Sequence, residues 1–160
     1  MKNEKSSKIK IVATNRKVYR DYDIIERYDA GIILCGNEVK SLRTHGCSID
    51  ESFARVENNE VFLYNMHIPE FEKSSYFKPD PKRVRKLLLH KKEIERLFGL
   101  TQKKGFTIIP LKVFFTERGL AKVEIALAKG RLLYDKRKKI KEEIVNRYIQ
   151  RVLKRYHKKS

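Results

Sequence analysis

FTIIPLKVFFT, residues 106–116, followed after a short polar break by KVEIALA, residues 122–128, decides the fold. In the second run Val123, Ile125 and Leu127 alternate with Lys122, Glu124 and Ala126. That period of two suits an antiparallel strand with one face on a core and the other in water. The first run is β-rich throughout and is expected as the longest strand. Pro110 interrupts it and cannot donate to a ladder, which predicts an edge or a bulge there. Further out, YDIIER (22–27) and GIILCG (31–36) are β-rich runs, with Asp29-Ala30-Gly31 as a turn or bulge between them. VFLYNMHI (61–68), after Glu57-Asn58-Asn59-Glu60, is the return arm of a hairpin that begins near Phe53. Many short strands at this spacing predict a mainly β protein with helices, built as a small closed or partly open antiparallel barrel.

Two segments of the body read as helices. Asp80 is placed to cap, Pro81 suits a first turn, and Val84, Leu87, Leu88, Ile94, Leu97 and Phe98 make an apolar stripe ended by Gly99. A shorter helix is expected from Asn37 to about Thr44, with Val39 and Leu42 inward, Lys40 and Arg43 outward, and Gly46 as the stop. Residues 69–79, with two prolines and no period, read as a loop.

The chain has 160 residues, enough for one ordinary domain and a tail. It carries 38 Lys and Arg against 20 Asp and Glu, a net charge of +18, and such an excess calls for a polyanionic partner, nucleic acid or an anionic membrane. The charge is uneven. Residues 129–160 hold 13 Lys and Arg against 3 Asp and Glu, so one fifth of the chain carries over half of the net charge. This divides the sequence into a body, 1–130, and a basic tail, 131–160. In the tail Ile140, Ile144, Val145, Tyr148, Ile149, Val152 and Tyr156 recur at steps of three and four, which on a helix would gather an apolar stripe between basic faces. Such a helix is marginal alone, because nucleation is unfavourable and like charges repel. The tail is therefore expected to be disordered when free and to fold against an anion; a helix docked permanently on the body is the alternative.

The basic N-terminus, MKNEKSSKIK, leads into no apolar segment, and nowhere do about 18 apolar residues run together, so a soluble cytoplasmic protein with no membrane partner is expected. Cys35 and Cys47, without a CxxC pairing, read as reduced thiols. Sequence patterns for nucleotide phosphates, zinc proteases, serine hydrolases and dinucleotides are missing. Cys35, His45 and Cys47 fall short of the four ligands of a structural zinc, so no metal and no cofactor are expected. His67 and His90 read as structural histidines, and Asp21, Asp23, Glu26 and Asp29 as acids that pair with surplus cations rather than as a catalytic set.

What remains is basic clusters among polar and aromatic groups: Asn15-Arg16-Lys17, Lys40, Lys82-Arg83 with Arg85-Lys86, Lys103-Lys104 and Lys129. Cations on the first turns of a helix from Asp80 would oppose its macrodipole, and phosphate contact would offset that local cost. Arginine can also stack on an unpaired base.

NRK at 15–17, DAGIILCGNEVKSLR at 29–43, DPKRVRKLLLHKKEI at 80–94 and AKGRLLYDKR at 128–137 together resemble the SmpB family, the SsrA-binding proteins of bacterial trans-translation, in order across nearly the whole chain. The resemblance implies an oligonucleotide-binding-type (OB-fold-like) barrel with about three flanking helices, no catalysis, and a monomer bound one to one to transfer-messenger RNA, which it delivers to stalled ribosomes. By resemblance the RNA-binding positions are Asn15, Asp29, Leu88, Lys122 and Gly130, joined by the basic residues Arg16, Lys17, Lys40, Arg83, Arg85, Lys86 and Lys129. Asp29 stands where relatives usually carry glutamate, and Pro79 where they commonly carry histidine. The resemblance further implies that the tail enters the mRNA path left empty by a truncated message. There Tyr134 would stack on a decoding-centre base, Asp135, Lys136 and Arg137 would fix the turn into the helix, and Lys138, Lys139, Lys141, Arg147, Arg151 and Lys154 would meet phosphates.

Overall fold

The computed structural model describes residues 9–73 and 78–157, without the side chains of 132–139. The elements are β1 (Lys10–Thr14), α1 (Lys17–Asp21), β2 (Tyr22–Ile32), α2 (Gly36–His45), β3 (Phe53–Glu57), β4 (Glu60–Tyr64), β5 (Arg85–Leu88), α3 (Lys91–Thr101), β6 (Phe106–Phe115), β7 (Ala121–Gly130) and α4 (Arg131–His157). The strands pair antiparallel in the order β1-β6-β3-β4-β5-β2-β7, and β7 pairs back with β6. The sheet is thus a ring of six strands, an OB-like barrel, with β1 sharing the β6 edge. Closure removes the open edges that a sheet of this size would otherwise present.

The ring interior is filled by Val61, Leu63, Leu87, Ile108, Val113, Val123, Ile125 and Leu127, all fully buried, and is plugged by Leu42 of α2 and Leu97 of α3. Each such aliphatic side chain contributes about 1.5–3 kcal/mol by leaving water. A second, smaller cluster lies on the outer side, where Val18 of α1 covers Ile109, Leu111, Ala126 and Ala128. Strand β7 is therefore buried on both faces from Ile125 to Ala128, not half-solvated throughout as its alternation suggests. The five-residue α1, invisible in the charge-rich run KVYRD, is the cause.

Pro110 sits beside a register shift between itself and Lys112, the expected bulge. In β2 the shift falls between Ile24 and Glu26, so Ile25 is the extra residue, and it points outward. Asp29-Ala30-Gly31 is not a turn. It runs mid-strand, with Ala30 buried opposite Val123, and makes β2, at eleven residues, one longer than β6. The segment 31–36 leaves the sheet after Ile32 and enters α2. The hairpin between β3 and β4 turns on Asn58 and Asn59, both with positive φ (50° and 61°), which matches the twist of the flanking strands.

The helix expected from Asp80 is two elements. Asp80 caps only a turn, its carboxylate accepting from the Lys82 amide at 2.9 Å; Arg85–Leu88 is strand β5 between β4 and β2; and α3 begins after His90 and runs through Gly99 to Thr101. In LLL the period-two pattern is hidden, since Leu87 faces the core, Leu88 faces out, and Leu89 packs back on the core from the connection. Lys82, Arg83, Arg85 and Lys86 thus lie outside any helix, and the macrodipole cost does not arise. Helix α2 is as expected: Leu42 is buried, Lys40 and Arg43 are exposed, and the chain stops at Gly46, with φ +77°. The described parts of 69–79 carry neither strand nor helix.

The tail forms one continuous helix, α4, tied at its start by the Arg131 guanidinium on the Asp23 carboxylate. Of the expected stripe Ile140, Ile144, Val145, Tyr148, Ile149 and Tyr156 are exposed, as is Leu153, and Val152 is half-buried, so most of the stripe is uncovered among the described residues.

Candidate nucleic-acid interface

Strand β2 lies between β5 and β7, and Gly31 is the register partner of Leu88 on one side and of Lys122 on the other. Directly opposed residues share a face. The neighbours Leu87, Ala30 and Val123 fill the interior, so Leu88, Gly31 and Lys122 face out. The row continues across β6 and β1, because Lys122 opposes Phe114 and Phe114 opposes Ile11. Leu88 is 51% exposed and Ile11 56%. The Leu88 side chain lies across the bare Cα of Gly31: a methyl added there would stand 3.3 Å from Leu88 Cβ.

Asp29, two residues along β2, is on the same face. With Lys122 it lines a groove of about 440 Å³ that Ile9, Phe114, Thr116, Glu117, Arg118 and Leu120 complete. The groove offers cations at Lys122 and Arg118, carboxylates at Asp29 and Glu117 and exposed aliphatic surface at Ile9 and Leu120, 44% and 59% accessible. Sequence reasoning missed Ile9, Phe114, Arg118, Leu120 and the seat at Gly31. One signal was available, a large leucine just after the Thr116–Gly119 turn, where water-facing residues are usual.

Strand geometry separates the remaining expected residues from this face. Lys129 and Gly130 lie at the far end of β7, paired with Asp23 and Tyr22, about 23–27 Å from Lys122 at the usual rise. Arg16 and Lys17 belong to that end, beside Tyr22. Lys40 is exposed on α2 with its ammonium 6.0 Å above the Phe71 ring, and Lys86 pairs with Glu60 at 2.9 Å.

Two of the expected contacts are turned inward. Asn15 is 1% exposed; its amide donates to the carbonyls of Ile49 (3.3 Å) and Pro110 (3.4 Å), and its backbone N–H to Leu111 at 2.7 Å, so it ties β1 to the β6 bulge rather than presenting a donor to RNA. Arg85 is fully buried. Its Nε donates to Glu38 at 2.6 Å, Nη1 to the Met66 carbonyl at 2.6 Å and Nη2 to the Pro81 carbonyl at 3.0 Å. Arg83 reaches the other Glu38 oxygen, and the Cys35 amide also donates to that oxygen at 3.0 Å. Burial pushes the Glu38 carboxyl up, but the Arg83 and Cys35 hydrogen bonds and the charge of Arg85 outweigh it and hold it below the usual range. A lone buried charge would be costly, and here every charge is paired. Arg85 is a structural cation, and Arg83 is half engaged.

The Cys47 thiol is pushed up to about 12 by burial, against a smaller opposing effect of Arg85, which makes it a packing residue. Among the described residues no three His, Cys, Asp or Glu side chains converge as a metal site would require, and no helix is long and apolar enough to cross a membrane. Tyr134, Asp135, Lys136, Arg137, Lys138 and Lys139 have side chains outside the described residues; Lys141, Arg147, Arg151 and Lys154 are exposed on α4.

The family model described as "SmpB protein" matches residues 12–155. The chain belongs to the SmpB family. An SsrA-binding protein of Thermosipho africanus (strain TCF52B) is 53% identical over 147 residues, covering 92% of this chain and 99% of the relative. That of Caldicellulosiruptor bescii is 55% identical over 152 residues, 95% of this chain and 96% of the relative. A solved chain described as "tmRNA-SmpB: a journey to the center of the bacterial ribosome" superposes with a TM-score of 0.63 at 52% identity, over 75% of this chain and 84% of that one. Of the SmpB-family positions carried over by sequence, Leu88, Lys122 and Asp29 share one outward face, Gly130 marks the junction of barrel and tail, and Asn15 is interior.

Proposed function

We propose that this chain is an RNA-binding protein that holds the tRNA-like domain of transfer-messenger RNA (the SsrA RNA) on the outward face of β5, β2 and β7 and delivers it to stalled ribosomes for trans-translation. The observation that carries this reading is the meeting, in an SmpB-family chain, of Leu88, Asp29 and Lys122 on one face beside a groove that joins aliphatic surface to two cations and two carboxylates. An unstacked base or a ribose takes the exposed leucines, a phosphate takes Lys122 or Arg118, and Asp29 accepts from a base edge or a 2′-hydroxyl. The protein binds and carries, with no turnover, no cofactor and one copy per RNA, in the cytoplasm.

The tail has a separate task. Its cations, Lys141, Arg147, Arg151 and Lys154 with those of 136–139, complement an rRNA-lined channel, and an occupying message would exclude it by volume and charge. Free of the ribosome its uncovered stripe favours fraying, and it folds on entering the channel. Tyr134 stacks on an exposed base there, worth about 1–3 kcal/mol.

The test is competition binding of the full-length protein to the tRNA-like domain against an ordinary alanine tRNA across a salt series. A preference that persists as salt rises supports shape-specific contact beyond counterion release; equal affinities that collapse together refute it in favour of unselective RNA binding.

A further inference from the structure

On the side of the barrel where β1, α1 and the start of β3 meet, a cleft of about 220 Å³ opens between Asn15, Asp21, Asp50, Glu51, Ser52 and Phe53, with Lys17 at the same opening. Two features set it apart. Asn15 and Ser52 are 1% and 4% exposed, and the Asn15 Oδ1 and the Ser52 Oγ are both buried without a hydrogen-bond partner. A buried polar atom left unpaired costs about 1–3 kcal/mol, and here two occur in one cleft. The second feature is charge. Three carboxylates against one lysine make the cleft net negative on a chain of +18.

A polyanion is repelled from such a place, so the cleft is no extension of the RNA face. Its ligand is a hydrogen-bond donor carrying positive charge. A metal ion is a poor match, since these carboxylates do not converge as metal ligands must. A guanidinium matches better: it is planar, weakly hydrated and rich in donors, and can divide them among dispersed oxygens. Phe53 supplies an aromatic wall. Its ring is stacked on Tyr64 at 5.3 Å and already carries the Arg55 guanidinium 5.0 Å from its centroid, so this pair accommodates flat cations. Among the described residues Asp21 pairs with its exposed neighbour Arg20, at 3.3 Å.

We propose that this cleft is a recognition site for a guanidinium group, the arginine side chain of a protein partner that meets the barrel away from its RNA face. Guanidinium N–H groups would donate to the Asn15 Oδ1 and Ser52 Oγ, with Asp21, Asp50 and Glu51 balancing the charge.

The experiment is an NMR titration of the full-length protein with Nα-acetyl-arginine methylamide, following the Asn15 side-chain amide and the Ser52 backbone amide. The neutral isostere Nα-acetyl-citrulline methylamide and spermidine serve as parallel probes. The expected result is a saturable response to the arginine probe alone, weakened about fivefold or more by Ser52→Ala and also weakened by Asp50→Asn, with RNA affinity unchanged in both variants. Because Asp50 is exposed, its variant keeps the test valid should Ser52→Ala disturb the fold. No saturable response, an equal response to citrulline, tighter binding of spermidine, or indifference to both substitutions would overturn the proposal.

Discussion

Arg85 lies wholly inside the barrel with its guanidinium on the Glu38 carboxylate, and this contact joins the start of α2 to β5. Glu38 also receives the Cys35 amide as half of a capping box, so one carboxylate starts the helix and docks it. Replacing Glu38 by Gln leaves a buried cation short of its counter-charge. The expected loss is about 3–5 kcal/mol in urea unfolding, far above that of a surface substitution. A loss below about 1 kcal/mol would mean that the carbonyls of Met66 and Pro81, with the side-chain amide oxygen left at position 38, satisfy Arg85 without a counter-charge.

Gly31→Ala tests the seat of Leu88. The new methyl stands 3.3 Å from Leu88 Cβ, so Leu88 must shift by a few tenths of an ångström while the ladders of β2 to β5 and β7 are kept. The expected outcome is a folded protein with tRNA-like-domain affinity reduced several-fold. Leu88→Ala, at a half-exposed position, is expected to weaken binding with little change in Tm, and Gly31→Ala added to it should cost little more. Full additivity of the two losses would show that the glycine acts independently of the leucine.

Lys122→Ala is expected to lower RNA affinity and to reduce the slope of log affinity against log salt by about one, as the loss of one phosphate contact requires. An unchanged slope with lower affinity would assign Lys122 to a base edge or to ordering Asp29 instead. Isothermal titration at several salt concentrations separates these outcomes.

The ring of strands was legible because residues such as Val123, Ile125 and Leu127 keep a strict period beside turn signals like Asn58-Asn59. Failures came where a residue's partner is remote in sequence. Arg85 and Lys86 look like a phosphate-binding pair, yet Glu38 and Glu60, 47 and 26 residues away, claim them. Asn15 reads as an exposed polar residue at the end of a basic run, and only the bulge in β6, itself set by Pro110, reveals the carbonyls it serves. The run 84–98 carries helical spacing by coincidence, since two elements with different periods meet at His90. Leu88 and Lys122 were named through family likeness, and their alignment across Gly31 depends on pairings that a single sequence does not display.

The Glu26–Arg96 pair fixes α3 to β2 and supplies an acid-sensitive contact. Hydrogen bonds from Arg96 and then Tyr28 hold the Glu26 carboxyl down to about 2 from 4.5. A depressed folded-state value means that the contribution is present above pH 4.5 and is lost as the pH falls through about 2. Arg96 is largely exposed, so solvent and salt screen the pair and the effect is modest. Glu26→Gln is expected to lower Tm slightly at neutral pH and to converge with the parent near pH 2. A gap that persists to that pH would mean that Glu26 acts through packing.

Truncation after Gly130 separates carrier from tail. Among the described residues helix α4 is tied to the body through Arg131 on Asp23 at its first turn, and Ile140, Ile144, Val145, Tyr148, Ile149, Leu153 and Tyr156 are exposed, so no described core contact is lost when the tail is removed. The truncated protein should therefore keep most of its affinity for transfer-messenger RNA and lose productive rescue in a peptidyl-transfer assay on ribosomes with a truncated message. Circular dichroism of the isolated tail adds an independent reading. Weak helicity in buffer that rises with the ribosomal site present supports folding on entry, because a lone helix with this density of like charge barely repays its nucleation. A stable free helix would contradict coupled folding, and equal losses of RNA binding and rescue would refute the division of labour.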